Sequence, residues 1–76
     1  MQLEAKKISD LYKVNYNDAL NTLTFIADRT EDTTRDKRII YDEVRQRIND
    51  DAGSDESYKQ YLLDTFQNKM DIIANR

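Results

Sequence analysis

The scarcity of chain breakers constrains this sequence more than any other feature: its 76 residues include no proline and a single glycine, Gly53. Tight turns ordinarily depend on those two residue types, so a hairpin-rich sheet has little from which to build its corners. Long helices interrupted at a few capped corners are the direct alternative. Apolar periodicity agrees and predicts four segments, near residues 3–12, 16–28, 34–49 and 55–74. The expected fold class is all-α, a compact bundle of about four helices forming one domain over residues 1–76.

Each segment has its own signals. In the first, Ala5, Ile8, Leu11 and Tyr12 recur at three- and four-residue spacings. Asn15 and Asp18 have the spacing of a capping box for the second, whose stripe is Tyr16, Ala19, Leu20, Leu23, Ile26 and Ala27. Thr33 or Thr34 is placed to cap the third, which turns Tyr41, Val44 and Ile48 inward beside Ile40 and puts Glu43 four residues before Arg47. Gly53 is suited to end that helix in a left-handed conformation, and Ser54 to cap the fourth.

Two features point beyond a core. Phe25 lies almost opposite the stripe of the second helix, so either that helix packs on two sides or Phe25 is offered to a partner. The fourth helix carries an apolar arc of about half its circumference, running through Tyr58, Tyr61, Leu62, Thr65, Phe66, Lys69, Ile72 and Ile73. Leu63, Phe66 and Met70 stand towards one edge of it. Either a broad groove buries the whole arc, or that edge is a surface for protein binding or self-association. The five tyrosines all sit on or beside apolar stripes, where ring burial with the hydroxyl at the periphery is the ordinary arrangement.

Composition removes several functional classes. With no histidine and no cysteine, the chain lacks the commonest neutral-pH base, the thiolate nucleophile and the usual zinc ligands. Placing Gly53 at the sixth position of a calcium loop puts Ile48 where the first carboxylate ligand belongs, and the pattern fails. One glycine builds no phosphate-cradling loop. No enzymatic activity, cofactor or metal is therefore expected. No apolar run approaches the roughly 20 residues of a membrane helix, and a soluble cytoplasmic protein is the default expectation. The net charge of −3 is uneven: residues 39–56 hold six acidic side chains against two basic ones. That acidity argues against broad charge-driven binding of nucleic acid.

Residues 8–26, ISDLYKVNYNDALNTLTFI, resemble a helix-turn-helix DNA-binding unit: a short helix, a corner at Lys13-Val14, an Asn15 cap, and a second helix with Ala19 inward. Many members carry glycine where this chain has Lys13. The resemblance implies that Tyr16, Asn17, Asn21 and Thr24 would face DNA bases. Phosphate contacts would then come from Arg35, Arg38 and Arg45 on the third segment, since the second helix begins without basic residues. Two functions follow as expectations. The first is a non-enzymatic regulatory or inhibitory domain that binds another protein or itself as a homodimer. The alternative is a small helix-turn-helix transcriptional regulator with DNA as its partner.

Overall fold

A computed structural model of the chain describes residues 2–32 and 34–74. Four helices follow one another: α1 (Gln2–Tyr12), α2 (Tyr16–Glu31), α3 (Lys37–Ala52) and α4 (Glu56–Ala74). They form an all-α four-helix bundle in which α2 packs against α1, α3 and α4, while α3 also packs on α4. Phe25 accordingly belongs to a helix covered on more than one side.

Local chemistry sets the helix ends. Asn15 caps α2 as expected, its Oδ1 accepting the amides of Asn17 at 2.9 Å and Asp18 at 3.2 Å. Further along, neighbouring aspartates take the capping positions that the hydroxyl residues were expected to fill. Thr34 is engaged with Asp32 Oδ1 through both its amide and its hydroxyl, at 2.9 and 2.6 Å. Asp36 instead caps α3, accepting from the Arg38 amide at 2.8 Å. Thr33 lies outside the described residues. Asp55, not Ser54, caps α4 by accepting from the Tyr58 amide at 3.1 Å. Helix α2 continues to Glu31, past the expected residue 28, because Thr30 is buried and returns its hydroxyl to the Ala27 carbonyl. Helix α3 continues to Ala52, whose side chain is buried, and stops where the Gly53 amide donates to Asn49 O.

The core is built from four-residue ladders. Helix α3 contributes Ile40, Val44, Ile48 and Ala52, and α4 contributes Tyr58, Leu62, Phe66 and Met70. Ala19, Leu23 and Ile26 of α2 and Ala5 and Ile8 of α1 complete it. Tyr41, expected inward, is half-buried and stacks edge-on to Phe66 with ring centroids 5.0 Å apart. Leu11, also expected inward, is exposed. A rotation of 100° per residue explains the difference: Ala5, Ile8 and Tyr12 span about 60°, and Leu11 lies another 60° or so outside that arc.

A polar chain that runs from buried Thr22 out to the surface pair Arg47–Asp51 ties three helices together. Thr22 of α2 donates its hydroxyl to Asp51 Oδ2 of α3, and Arg47 Nε donates to the same oxygen at 2.8 Å. Arg47 thus pairs with Asp51 and not with Glu43. Tyr58 of α4 is buried beside this group, and its pKa is raised, first by desolvation and then by the negative charge of Asp51.

Two corners use a positive φ. Lys13 adopts φ 58° between α1 and α2, and Gly53 adopts φ 59° with ψ −119° between α3 and α4. A side chain at either position works against its backbone, and a Cβ on Gly53 would meet nothing within 4 Å. Lys13→Gly is expected to stabilise the fold by about 0.5–1 kcal/mol and Gly53→Ala to destabilise it by about 1–3 kcal/mol. Urea unfolding of the two variants checks this pair, which should move in opposite directions.

Candidate protein interface along helices 1 and 4

Helix α1 meets the bundle through a small inner face. Only Ala5 and Ile8 are fully buried in it, and its link to α4 runs through long side chains. The Tyr12 ring lies 5.5 Å from Tyr58 and 5.7 Å from Tyr61, both tilted, and the Tyr61 hydroxyl donates to Glu4 Oε1 at 3.1 Å. Partial burial, followed by the Glu4 carboxylate, raises the Tyr61 pKa.

The outer edge of α1 is apolar at both ends. Leu3 is 85% exposed and Leu11 69%, with Lys7 one turn from each. Beside them runs a groove of 310 Å³ lined by Lys7, Ile8, Leu11, Tyr12 and Tyr61. A shallower depression lined by Leu3, Glu4, Lys7 and Tyr61 adjoins it. Farther along α4, Ile72 is 63% exposed and lines a hollow that also includes Glu4 and Tyr61. Tyr16, less exposed, shares a depression with Leu3 on the other flank of α1. Four of the five exposed large apolar side chains in the described residues therefore border α1, and the fifth, Ile39, is on α3.

The sequence-derived interface residues fall elsewhere. Phe66 and Met70 are buried in the core, and Leu63 is half-buried against it. The buried ladder runs through the middle of the arc, so its open edge is the opposite one, carrying Tyr61 and Ile72. Phe25 is half-buried between the guanidinium groups of Arg29 and Arg47, 4.6 and 5.1 Å from its ring centroid. Those arginines are held in turn by Glu43 and Asp51, so Phe25 is capped by charge and not presented bare. Leu3, Leu11 and Ile72 were missed as surface residues. The available signal was the Leu3–Lys7–Leu11 spacing, a second stripe on the side of α1 away from Ala5.

The residues assigned to DNA by resemblance divide into two groups. Tyr16, Asn17, Asn21 and Thr24 are all on α2 and exposed. The Thr24 hydroxyl returns to the Leu20 carbonyl at 2.8 Å. Asp28 and Glu31 continue the same exposed face and make its far end acidic. Arg38 and Arg45 are exposed on α3, where Arg45 sits 5.3 Å over the Tyr41 ring. Arg35, however, precedes α3 and is bound by Asp32 at 3.2 Å and by Glu43. Arg35 therefore does not join the other two on the helix face. Asp32 has its pKa lowered, chiefly by hydrogen bonds from Thr34 and secondarily by Arg35 and Arg29.

Among the described residues no group of three or more acidic side chains is arranged to hold a metal ion, and no helix is long and apolar enough to cross a membrane. No protein-family model, curated protein or solved structure matches the chain.

Leu3→Gln and Leu11→Gln are each expected to change stability by less than about 0.5 kcal/mol, whereas Met70→Ala should cost about 2–5 kcal/mol. Chemical denaturation of the three variants distinguishes surface from core. A separate expectation concerns pH. Because folding raises the pKa of Tyr58 and Tyr61, their contribution is complete below the ordinary tyrosine value of 10.0 and is lost as pH rises through the folded values. Urea midpoints should fall as pH rises above about 10, and less steeply in Tyr58→Phe.

Proposed function

We propose that this chain is a non-enzymatic protein-binding domain of regulatory or inhibitory type, engaging its partner along the outer edge of α1 and the adjoining edge of α4. The observation that carries this reading is the exposure of Leu3 and Leu11 beside a tyrosine-walled groove. Their side chains contribute little to the monomer core. Covering a leucine removes apolar surface worth about 1.5–3 kcal/mol. Two leucines, Ile72 and the Tyr61 ring thus supply the apolar part of a modest interface, whose net affinity depends on the ordering and desolvation that accompany docking. A small domain without histidine or cysteine acts most simply by occupying a surface on its target.

DNA binding is the second reading, favoured by the exposed row of Asn17, Asn21 and Thr24 behind the Asn15-capped corner. Its electrostatic support is reduced by the engagement of Arg35 and by Asp28 and Glu31 on the reading face.

A photo-crosslinking residue placed at position 11, and separately at position 21, separates the two in cells that produce the protein. A discrete protein adduct from position 11, absent from position 21, is the expected result. Equal labelling from both, or none from position 11, would end the protein-interface reading. Low-salt binding to duplex DNA, abolished by Arg38→Gln with Arg45→Gln, would promote the alternative.

A further inference from the structure

We infer that α1 is a hinged lid, which detaches from the bundle as a unit about the corner at residues 13–15 while α2, α3 and α4 stay folded. Those three helices close on one another without it: α2 packs on α3 and on α4, and α3 packs on α4. Polar links brace the same triangle. Arg29 of α2 pairs with Glu43 of α3 at 2.7 Å, and the Thr22 hydroxyl reaches Asp51. Gln67 of α4 donates to the Tyr41 hydroxyl of α3 at 3.2 Å, beside the ring contact of Tyr41 with Phe66.

Helix α1 has fewer ties. It buries Ala5 and Ile8 and lays the half-buried Tyr12 ring against Tyr58 and Tyr61. Among the described residues, two side-chain hydrogen bonds leave it, and no ion pair joins it to another helix. The Ser9 hydroxyl donates to the Val14 carbonyl at 2.7 Å, which lies within the corner. Only the bond from Tyr61 to Glu4 crosses to a different helix.

The corner is where such a unit would part from the rest. Lys13 is held at φ 58°, a conformation that a side chain disfavours, and the strain is released when the chain leaves it. On the far side α2 supplies its own start: Asn15 Oδ1 accepts the Asn17 and Asp18 amides, and the Asn15 carbonyl accepts the Ala19 amide at 3.0 Å. None of these bonds involves α1. A released α1 has eleven residues, fewer than the roughly 12–15 below which an isolated helix is marginal in water, so its hydrogen bonds open together. Opening removes Leu3 and Leu11 from the edge and uncovers the Tyr58 and Tyr61 rings, which makes α1 the movable part of the interface proposed above. The lid itself does not depend on that reading.

Amide hydrogen exchange of the whole chain, followed by NMR at urea concentrations below the unfolding transition, tests this. The reporting amides are those of residues 6–12, which lie beyond the unpartnered first turn of α1. They should share one opening equilibrium, exchange about tenfold or more faster than the slowest amides of α3 and α4, and respond weakly to urea. Amides of α2 from Leu23 onward should stay in the slow class. Ile40→Val, a core change on α3, should speed the slow class about two- to tenfold and leave α1 unchanged, because it weakens the closed and lid-open states alike. Protection of α1 equal to that of the slow class, or acceleration of both in step, would overturn the lid. Rates graded residue by residue from Lys6 to Tyr12 would reduce the opening to fraying and overturn it too. Loss of α2 protection together with that of α1 would move the boundary off the corner and overturn the hinge.

Discussion

Helix α2 has to satisfy three neighbours at once, and the buried hydroxyl of Thr22 fixes how it does so. Ala19, Leu23 and Ile26 provide apolar contact that tolerates small rotations. The Thr22 side chain adds a directed contact to them, its hydroxyl lying within hydrogen-bonding distance of both the Asp18 carbonyl of its own helix and Asp51 of α3. Thr22 finds Asp51 on α3, Asp51 is held by Arg47, and Tyr58 of α4 fills the space beside them. The chain of contacts therefore sets the register of α2, α3 and α4 together. No buried side-chain nitrogen or oxygen in the described residues is left without a hydrogen bond.

The exposed edge follows from that arrangement. With α3 and α4 both packed against α2, α1 is added at the side and buries little more than Ala5 and Ile8. It is also short. Eleven residues of helix extend about 16 Å, whereas the nineteen of α4 extend about 28 Å, so α1 cannot cover the whole neighbouring edge of α4. Ile72 stays exposed at the rim of a hollow that it shares with Glu4. Leu3 and Leu11 are left bare for a different reason, since both point away from the line through Ala5, Ile8 and Tyr12. The apolar edge is thus a consequence of helix length and rotation, not of poor packing in the core.

Helix number and order were legible because breakers are few and the apolar stripes are long. The Asn15 cap and the Gly53 corner were legible too, as each has a distinct chemical signature. The exact starts of α3 and α4 were not: hydroxyl residues and aspartates stand within two positions of one another there, and the geometry of the turn decides between them. Thr34 is drawn into a turn with Asp32, which leaves the cap to Asp36. The same displacement moves Arg35 out of α3 and into ion pairs. On α4 a wide apolar arc could not reveal its own centre. Tyr58, Leu62, Phe66 and Met70 form the inward line, and of the two arrangements open for the Leu63–Phe66–Met70 edge, burial and surface, Phe66 and Met70 take the first. Amphipathic periodicity identifies an arc, but only the neighbouring helices determine which of its edges stays open.

Net charge is a poor guide to what that edge binds. Helix α3 is balanced, with Lys37, Arg38, Arg45 and Arg47 against Asp42, Glu43, Asp50 and Asp51, and α1 is balanced too, with Lys6 and Lys7 against Glu4 and Asp10. Exposed charges separated by more than about 8–10 Å are largely screened at physiological ionic strength. The group facing Lys7 at contact therefore feels that ammonium more strongly than the overall charge of −3.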